Sequence, residues 1–195
     1  MKVGVLALQG AFAEHIKILS NLDVETSPVR LPSDLIGIDA LIIPGGESTT
    51  ISKLLMDYHL REPLLELIRQ GTPVLGICAG MILLATKVLE SEVDTLGVLD
   101  MEVKRNAFGR QVDSFELDLS IPVLGEKPFH GVFIRAPIVQ RTFNGVQVLC
   151  QLNNQPVVVR QGNTIGATFH PELTDDLRFH EYFIDVVKGK HGCKK

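Results

Sequence analysis

The chain has 195 residues, of which 45% are hydrophobic and 22% charged, and a formal net charge of -4. That length favours one compact domain, spanning residues 1–195, with a sizeable core. The mild acidity leaves no general attraction for nucleic acid or an anionic membrane.

The opening "MKVGVLALQG" carries an unbroken apolar run only from Val3 to Leu8, shorter than the core of an export signal. No stretch is long enough to span a bilayer. Cys78, Cys150 and Cys193 form neither an even disulfide framework nor a paired metal spacing. They point to a reducing cytoplasm without structural zinc.

In chain order, short apolar runs predict strands at Lys2 to Leu8, Val24 to Val29 and Ala40 to Ile43. Amphipathic helices are expected between them at Phe12 to Leu22 and, after the third strand, at Thr49 to Gln70, the latter broken near His59 and Pro63. A strand at Val74 to Ile77 feeds a helix at Ala79 to Leu89. This β-α alternation predicts an α/β fold: a central mixed, mostly parallel sheet flanked by helices in three layers. From Leu96 the texture becomes β-rich, with "GVLDMEVKR", "SFELDLSI", "HGVFIRAP", "VQVLCQL", "PVVVRQ" and "TIGATF" between turn residues. That spacing favours antiparallel pairing, and an amphipathic helix from Asp175 to Val187 closes the chain.

Gly76-Ile-Cys78-Ala-Gly80 lies where a strand turns into a helix. G-x-C-x-G is the cysteine form of a nucleophile elbow, in which a tight turn exposes the thiol and glycines avoid collision two residues to either side. The amide of Ala79 can then donate to a developing oxyanion. The plainer reading is a buried cysteine whose glycines merely make the turn. Cys150, alternating with Val148 as a strand residue, and Cys193, in the tail, carry only that plainer reading.

A thiol in acyl transfer needs a base and a group to orient it. Of six histidines, only His170 directly follows a strong strand, in "TIGATFHPEL", and Glu172 stands two positions on. A third strand-end loop, "IIPGGEST" from Ile42 to Thr49, has paired glycines that expose amides, and Ser48 or Thr49 could cap the next helix. It lacks the Lys of a phosphate loop.

These three loops together resemble the class I (triad) glutamine amidotransferases. More narrowly, "LALQGAFAEH", "PGGESTT", "CAG", "RNAFGRQVDSFE", "GVFIRAP" and "FHPELT" are similar to the glutaminase subunits of pyridoxal 5'-phosphate synthases, over Leu6 to Thr174. Met81 stands where that family usually has Leu, and Ala7 where it often has Gly. The resemblance implies Cys78 as nucleophile, His170 as base and Glu172 as its orienter. It implies an oxyanion hole from Gly45, Gly46 and Ala79, and glutamine held by Gly46, Glu47, Ser48, Arg105, Ile134 and Arg135. Arg105 or Arg135 could meet the substrate's α-carboxylate and Glu47 its α-ammonium.

The implied reaction hydrolyses L-glutamine without a metal or organic cofactor. The ammonia passes to a TIM-barrel synthase subunit, arranged in stacked rings, that makes pyridoxal 5'-phosphate in vitamin B6 biosynthesis. Gln9 and Gly10 would face that partner, with Phe12, Glu14 and His15 on the docking helix. Two rival readings are a docking module without catalysis and a small cysteine peptidase on a related sheet.

Overall fold

The computed structural model describes residues 1–105, 114–143 and 145–190. Its elements run β1 (Lys2–Leu6), α1 (Phe12–Asn21), β2 (Glu25–Val29), β3 (Ala40–Ile43), α2 (Ser48–Asp57), α3 (Arg61–Arg69), β4 (Val74–Ile77), α4 (Ala79–Leu84) and β5 (Ala85–Leu89). They continue with β6 (Leu99–Lys104), β7 (Ser114–Leu119), β8 (Phe129–Ile134), β9 (Ile138–Thr142), β10 (Gln147–Leu152), β11 (Gln155–Gln161), β12 (Thr164–Ala167) and α5 (Arg178–Val187).

Seven strands form the central sheet in the order β10-β11-β12-β4-β3-β1-β2. β2, β1, β3, β4 and β12 are mutually parallel, and β11 and β10 extend the sheet antiparallel. The fold is therefore α/β with a mixed, mostly parallel sheet. The β-rich half is not a separate layer: three of its strands complete the sheet begun by the first half. Strands β5, β6 and β9 form a second small sheet, and β7 and β8 a hairpin.

Two apolar clusters follow from the two-residue period of the strands. Val3, Val5, Ile42, Leu75 and Ile77 pack on one face with Leu19 of α1 and Phe179 and Phe183 of α5. Leu41, Ile43 and Val74 pack on the other with Ile51 and Leu55 of α2, Leu64 of α3 and all the apolar side chains of α4. Phe129, Phe169 and Phe179 form a fully buried ring cluster with centroids 5.4 to 6.0 Å apart. Removing one such ring costs about 3–5 kcal/mol, so the residue just before His170 is firmly anchored.

Several boundaries differ from expectation. The segment expected as one broken helix is two, separated at Tyr58–Leu60, where His59 turns left-handed at φ 55°. Pro63 is not the break: it sits in the first turn of α3, where a missing N–H costs nothing. The helix expected to reach Leu89 stops at Leu84, and Ala85–Leu89 pairs with β6. Every residue of α4 is buried, and a run apolar on all sides gives periodicity no purchase on where it ends. The last helix starts at Arg178 rather than Asp175, because the Asp176 carboxylate stands before it and accepts from the Arg178 N–H at 3.1 Å.

Candidate active site

Four loops leave the carboxyl end of the parallel strands, after β1, β3, β4 and β12, which is where open α/β sheets place their ligands. At the end of β4, Cys78 adopts φ 48° and ψ -100°, a left-handed backbone that side-chain-bearing residues avoid. Its own N–H donates to the Ala167 carbonyl at 2.8 Å, pinning the turn to β12. The flanking glycines are required by contact. A Cβ on Gly76 would press on Leu84 and the Gly80 backbone, and one on Gly80 would meet the Ile43 carbonyl. Ala79 opens α4, so its amide has no acceptor within the helix.

β12 delivers the second group. The His170 N–H donates to the Val132 carbonyl at 2.8 Å, and its Nδ1 lies 2.7 Å from Glu172 Oε1. Both side chains are buried, Glu172 completely. Burial by itself would push the imidazole pKa down. Hydrogen-bond contact with Cys78 and with Glu172 outweighs that and raises it to about 10. His170 is thus protonated at neutral pH, with Nδ1 committed to the carboxylate and the other side of the ring available to the thiol.

The loop after β3 closes the site. Gly45 lies so near the His170 ring that a Cβ there would strike it, and the Gly45 carbonyl accepts from the Ala11 N–H at 3.0 Å. Gln9 Oε1 accepts from the Glu47 N–H at 2.8 Å. Glu47, rather than Ser48 or Thr49, caps α2: its carboxylate accepts from the Thr49 and Thr50 amides and the Thr50 hydroxyl. From the N-cap position the carboxylate accepts from the second and third helical amides, and it meets the positive end of the helix. Desolvation pushes the Glu47 pKa up, but the hydrogen bonds from Thr50 and Thr49 together outweigh it and hold the pKa down at about 2. Arg105 donates to Glu47 Oε1 at 2.8 Å and to Thr49 Oγ1 at 3.0 Å.

These groups line one cleft of about 430 Å³ that includes Gln9, Gly45, Glu47, Cys78, Arg105 and His170, a size suited to a small molecule. Ile134 and Arg135 line it as well. The Ile134 carbonyl lies 3.9 Å from Cys78 Sγ, and Arg135 is a second left-handed residue at φ 42°. A buried thiol against a protonated imidazole, with the Ala79 amide at the start of α4 beside it, is suited to attack on a carbonyl carbon.

A family model described as the SNO glutamine amidotransferase family matches residues 5–189. The chain belongs to that family. It is 56% identical to "Pyridoxal 5'-phosphate synthase subunit PdxT" of Pelotomaculum thermopropionicum over 195 residues, the full length of both. The protein of the same name from Thermotoga maritima is 50% identical over 188 residues, 96% of this chain and all of the relative. Among solved structures, one described as a glutamine amidotransferase superposes with a TM-score of 0.91 at 49% identity, covering 95% of this chain and 98% of the other.

The structure gathers all three triad candidates, all the oxyanion candidates and the six glutamine-pocket candidates, Gly46, Glu47, Ser48, Arg105, Ile134 and Arg135, around this cleft. Residues 106–113, which carry much of the "RNAFGRQVDSFE" resemblance, lie outside the described residues, as does Cys193. Cys150 is a buried strand residue, Sγ 3.3 Å from the Ser120 carbonyl. Gln9 and Gly10 border the cleft, and Phe12 and Glu14 reach solvent. His15 departs from expectation: it is fully buried, on the face of α1 shared with Ile18 and Leu19, and so does not lie on the exposed face of that helix. Behind it stands His180, which sequence reasoning missed. A histidine among the apolar positions Phe179, Phe183 and Ile184 of an amphipathic helix was the available signal.

Proposed function

We propose that this chain is the glutaminase subunit of a pyridoxal 5'-phosphate synthase, hydrolysing L-glutamine through Cys78, His170 and Glu172. The observation that carries the residue assignment is the junction of the left-handed Cys78 elbow with a His170 ring whose Nδ1 is held 2.7 Å from a fully buried carboxylate. Family membership supplies the glutamine chemistry, and the full-length match to synthase subunits supplies the destination of the ammonia.

The Cys78 thiolate attacks the side-chain amide carbon of glutamine. The oxyanion is held by the Ala79 amide and by an amide of the Gly45-Gly46 loop. Collapse breaks the C–N bond as His170 gives its proton to the leaving nitrogen, releasing ammonia and leaving a thioester. Water then adds to the thioester while neutral His170 takes its proton, and glutamate departs with the thiolate restored. Arg105 and Arg135 stand where they can meet the α-carboxylate, and Glu47 the α-ammonium.

On this reading the whole of residues 1–195 is one glutaminase domain working in the cytoplasm, docked on a TIM-barrel synthase subunit in a ring assembly. Gln9, Gly10, Phe12 and Glu14 contribute to the docking face. The Gln9 and Ala11 contacts to the Gly45–Glu47 loop tie that face to the oxyanion hole. The test is glutamate release from L-glutamine by the purified chain with and without the synthase subunit. Release stimulated by the partner and abolished in Cys78→Ala is the expected result. No release in either mixture, with docking intact, overturns the reading in favour of a docking module.

A further inference from the structure

Behind the triad the chain buries two histidines that the reaction does not use. His15 on α1 and His180 on α5 are both fully buried, with His15 Nδ1 and His180 Nε2 2.9 Å apart. The other nitrogen of His15, Nε2, faces Oε2 of Glu172 across 3.6 Å. Oε2 is the carboxylate oxygen that His170 leaves unused, and among the described residues neither it nor His15 Nε2 has a hydrogen-bond partner, the 3.6 Å between them being longer than a hydrogen bond. Two buried polar atoms of this kind, one a possible donor and one an obligate acceptor, face each other and nothing else.

Their chemistry selects one arrangement of protons. A bare His15 Nε2 would set a lone pair against a carboxylate, which is repulsive, so the proton belongs on Nε2. Neutral His15 then has an unprotonated Nδ1, which must accept, and His180 must donate to it from Nε2–H. The donors run in one direction, from His180 to His15 to Glu172. Neutrality of both rings is consistent with their surroundings. Burial, with His180 and the His170 charge nearby, keeps the His15 pKa well below the ordinary imidazole range. Burial brings that of His180 down to about 4. The charged or titratable groups facing His15 are His180 from α5 and His170 and Glu172 from the loop after β12. His170 therefore keeps the only positive charge that Glu172 has to balance in this cluster.

We propose that His15, in its Nε2–H form and oriented by His180, is a positioning residue that holds the distal oxygen of Glu172 and thereby fixes the carboxylate that orients His170. This rests on the triad assignment above. It also makes α1 a two-faced element, with Glu14 toward solvent and His15 against the triad.

The first measurement is nitrogen NMR of the full wild-type chain carrying ¹⁵N-labelled histidine, which reads the tautomer of each ring directly. Neutral His15 carrying its proton at Nε2 at pH 7 is expected; protonation at Nδ1 overturns the proposal. The second compares His15→Gln with His15→Asn in the glutaminase-synthase complex. The Gln amide reaches the Nε2 position and Glu172, whereas the Asn amide reaches only the His180 side. His15→Gln should keep a kcat roughly tenfold or more above His15→Asn at similar KM. Equal kcat values in two folded variants would overturn the proposal and leave His15 a packing residue. Cys78→Ala, run alongside, reports on the triad reading separately: release that survives it sinks that reading, whatever His15 does.

Discussion

Two carboxylate–cation pairs line the cleft, alike in length and opposite in setting. Glu172 and His170 are 2.7 Å apart with side chains 0% and 10% exposed, while Glu47 and Arg105 are 2.8 Å apart and 46% and 27% exposed. The buried pair cannot exchange partners without stranding a charge out of water. The exposed pair can, because water and an arriving amino acid both replace what is given up. Burial, rather than distance, separates the pair suited to reaction from the pair suited to greeting a substrate.

The largest break in this comparison comes from the nucleophile that the buried pair serves. Cys78→Ala should reduce glutamate release to background, on the order of the 10⁶-fold loss seen when a hydrolase nucleophile is removed, measured in the complex by a coupled glutamate assay. Glu172→Gln keeps the shape but removes the charge. Loss of that charge lowers the His170 pKa from about 10, so kcat should fall by roughly 10²–10⁴-fold and the alkaline limb of the pH profile should move to lower pH. A limb that stays in place would mean that Glu172 does not set the protonation of His170.

The same pair makes a prediction about stability. The His170 pKa is raised on folding, from about 6.5 in the unfolded chain to about 10. Its contribution is therefore fully present below the lower value and is lost as pH rises through the upper one. Urea denaturation of the wild type should show stability declining across that window, with a smaller decline in Glu172→Gln. An identical decline in both would place its source elsewhere. The exposed pair should give the smallest effect: Arg105→Ala is expected to raise KM for glutamine roughly 10-fold, with kcat nearly unchanged and stability altered by less than about 1 kcal/mol. A large fall in kcat instead would show that Arg105 acts on the reacting atoms.

Much of this site is legible in the chain itself, for steric reasons. The glycines around Cys78 and in the Gly45-Gly46 loop occupy points where a single Cβ would strike backbone or the His170 ring, and such constraints are written as residue identities. Helix α4 shows the opposite case: its apolar pattern continues five residues beyond its end at Leu84, through β5. Strand β9, half exposed after Pro137, went unread. A histidine on a helix is usually polar surface; only the packing of α1 over β1, β2 and the turn after β12, with His180 of α5 beside it, turns His15 inward.

The sequence by itself determined the order of β-α units, the elbow, the three strand-end loops and the family, because each depends on local backbone geometry or on spacing along the chain. Tertiary structure alone decided that β12 inserts beside β4 and brings His170 to Cys78, and that His15 and His180 meet behind Glu172. Those outcomes depend on contacts between residues as many as 165 positions apart. No local pattern encodes them, because their energy exists only once the core has excluded water.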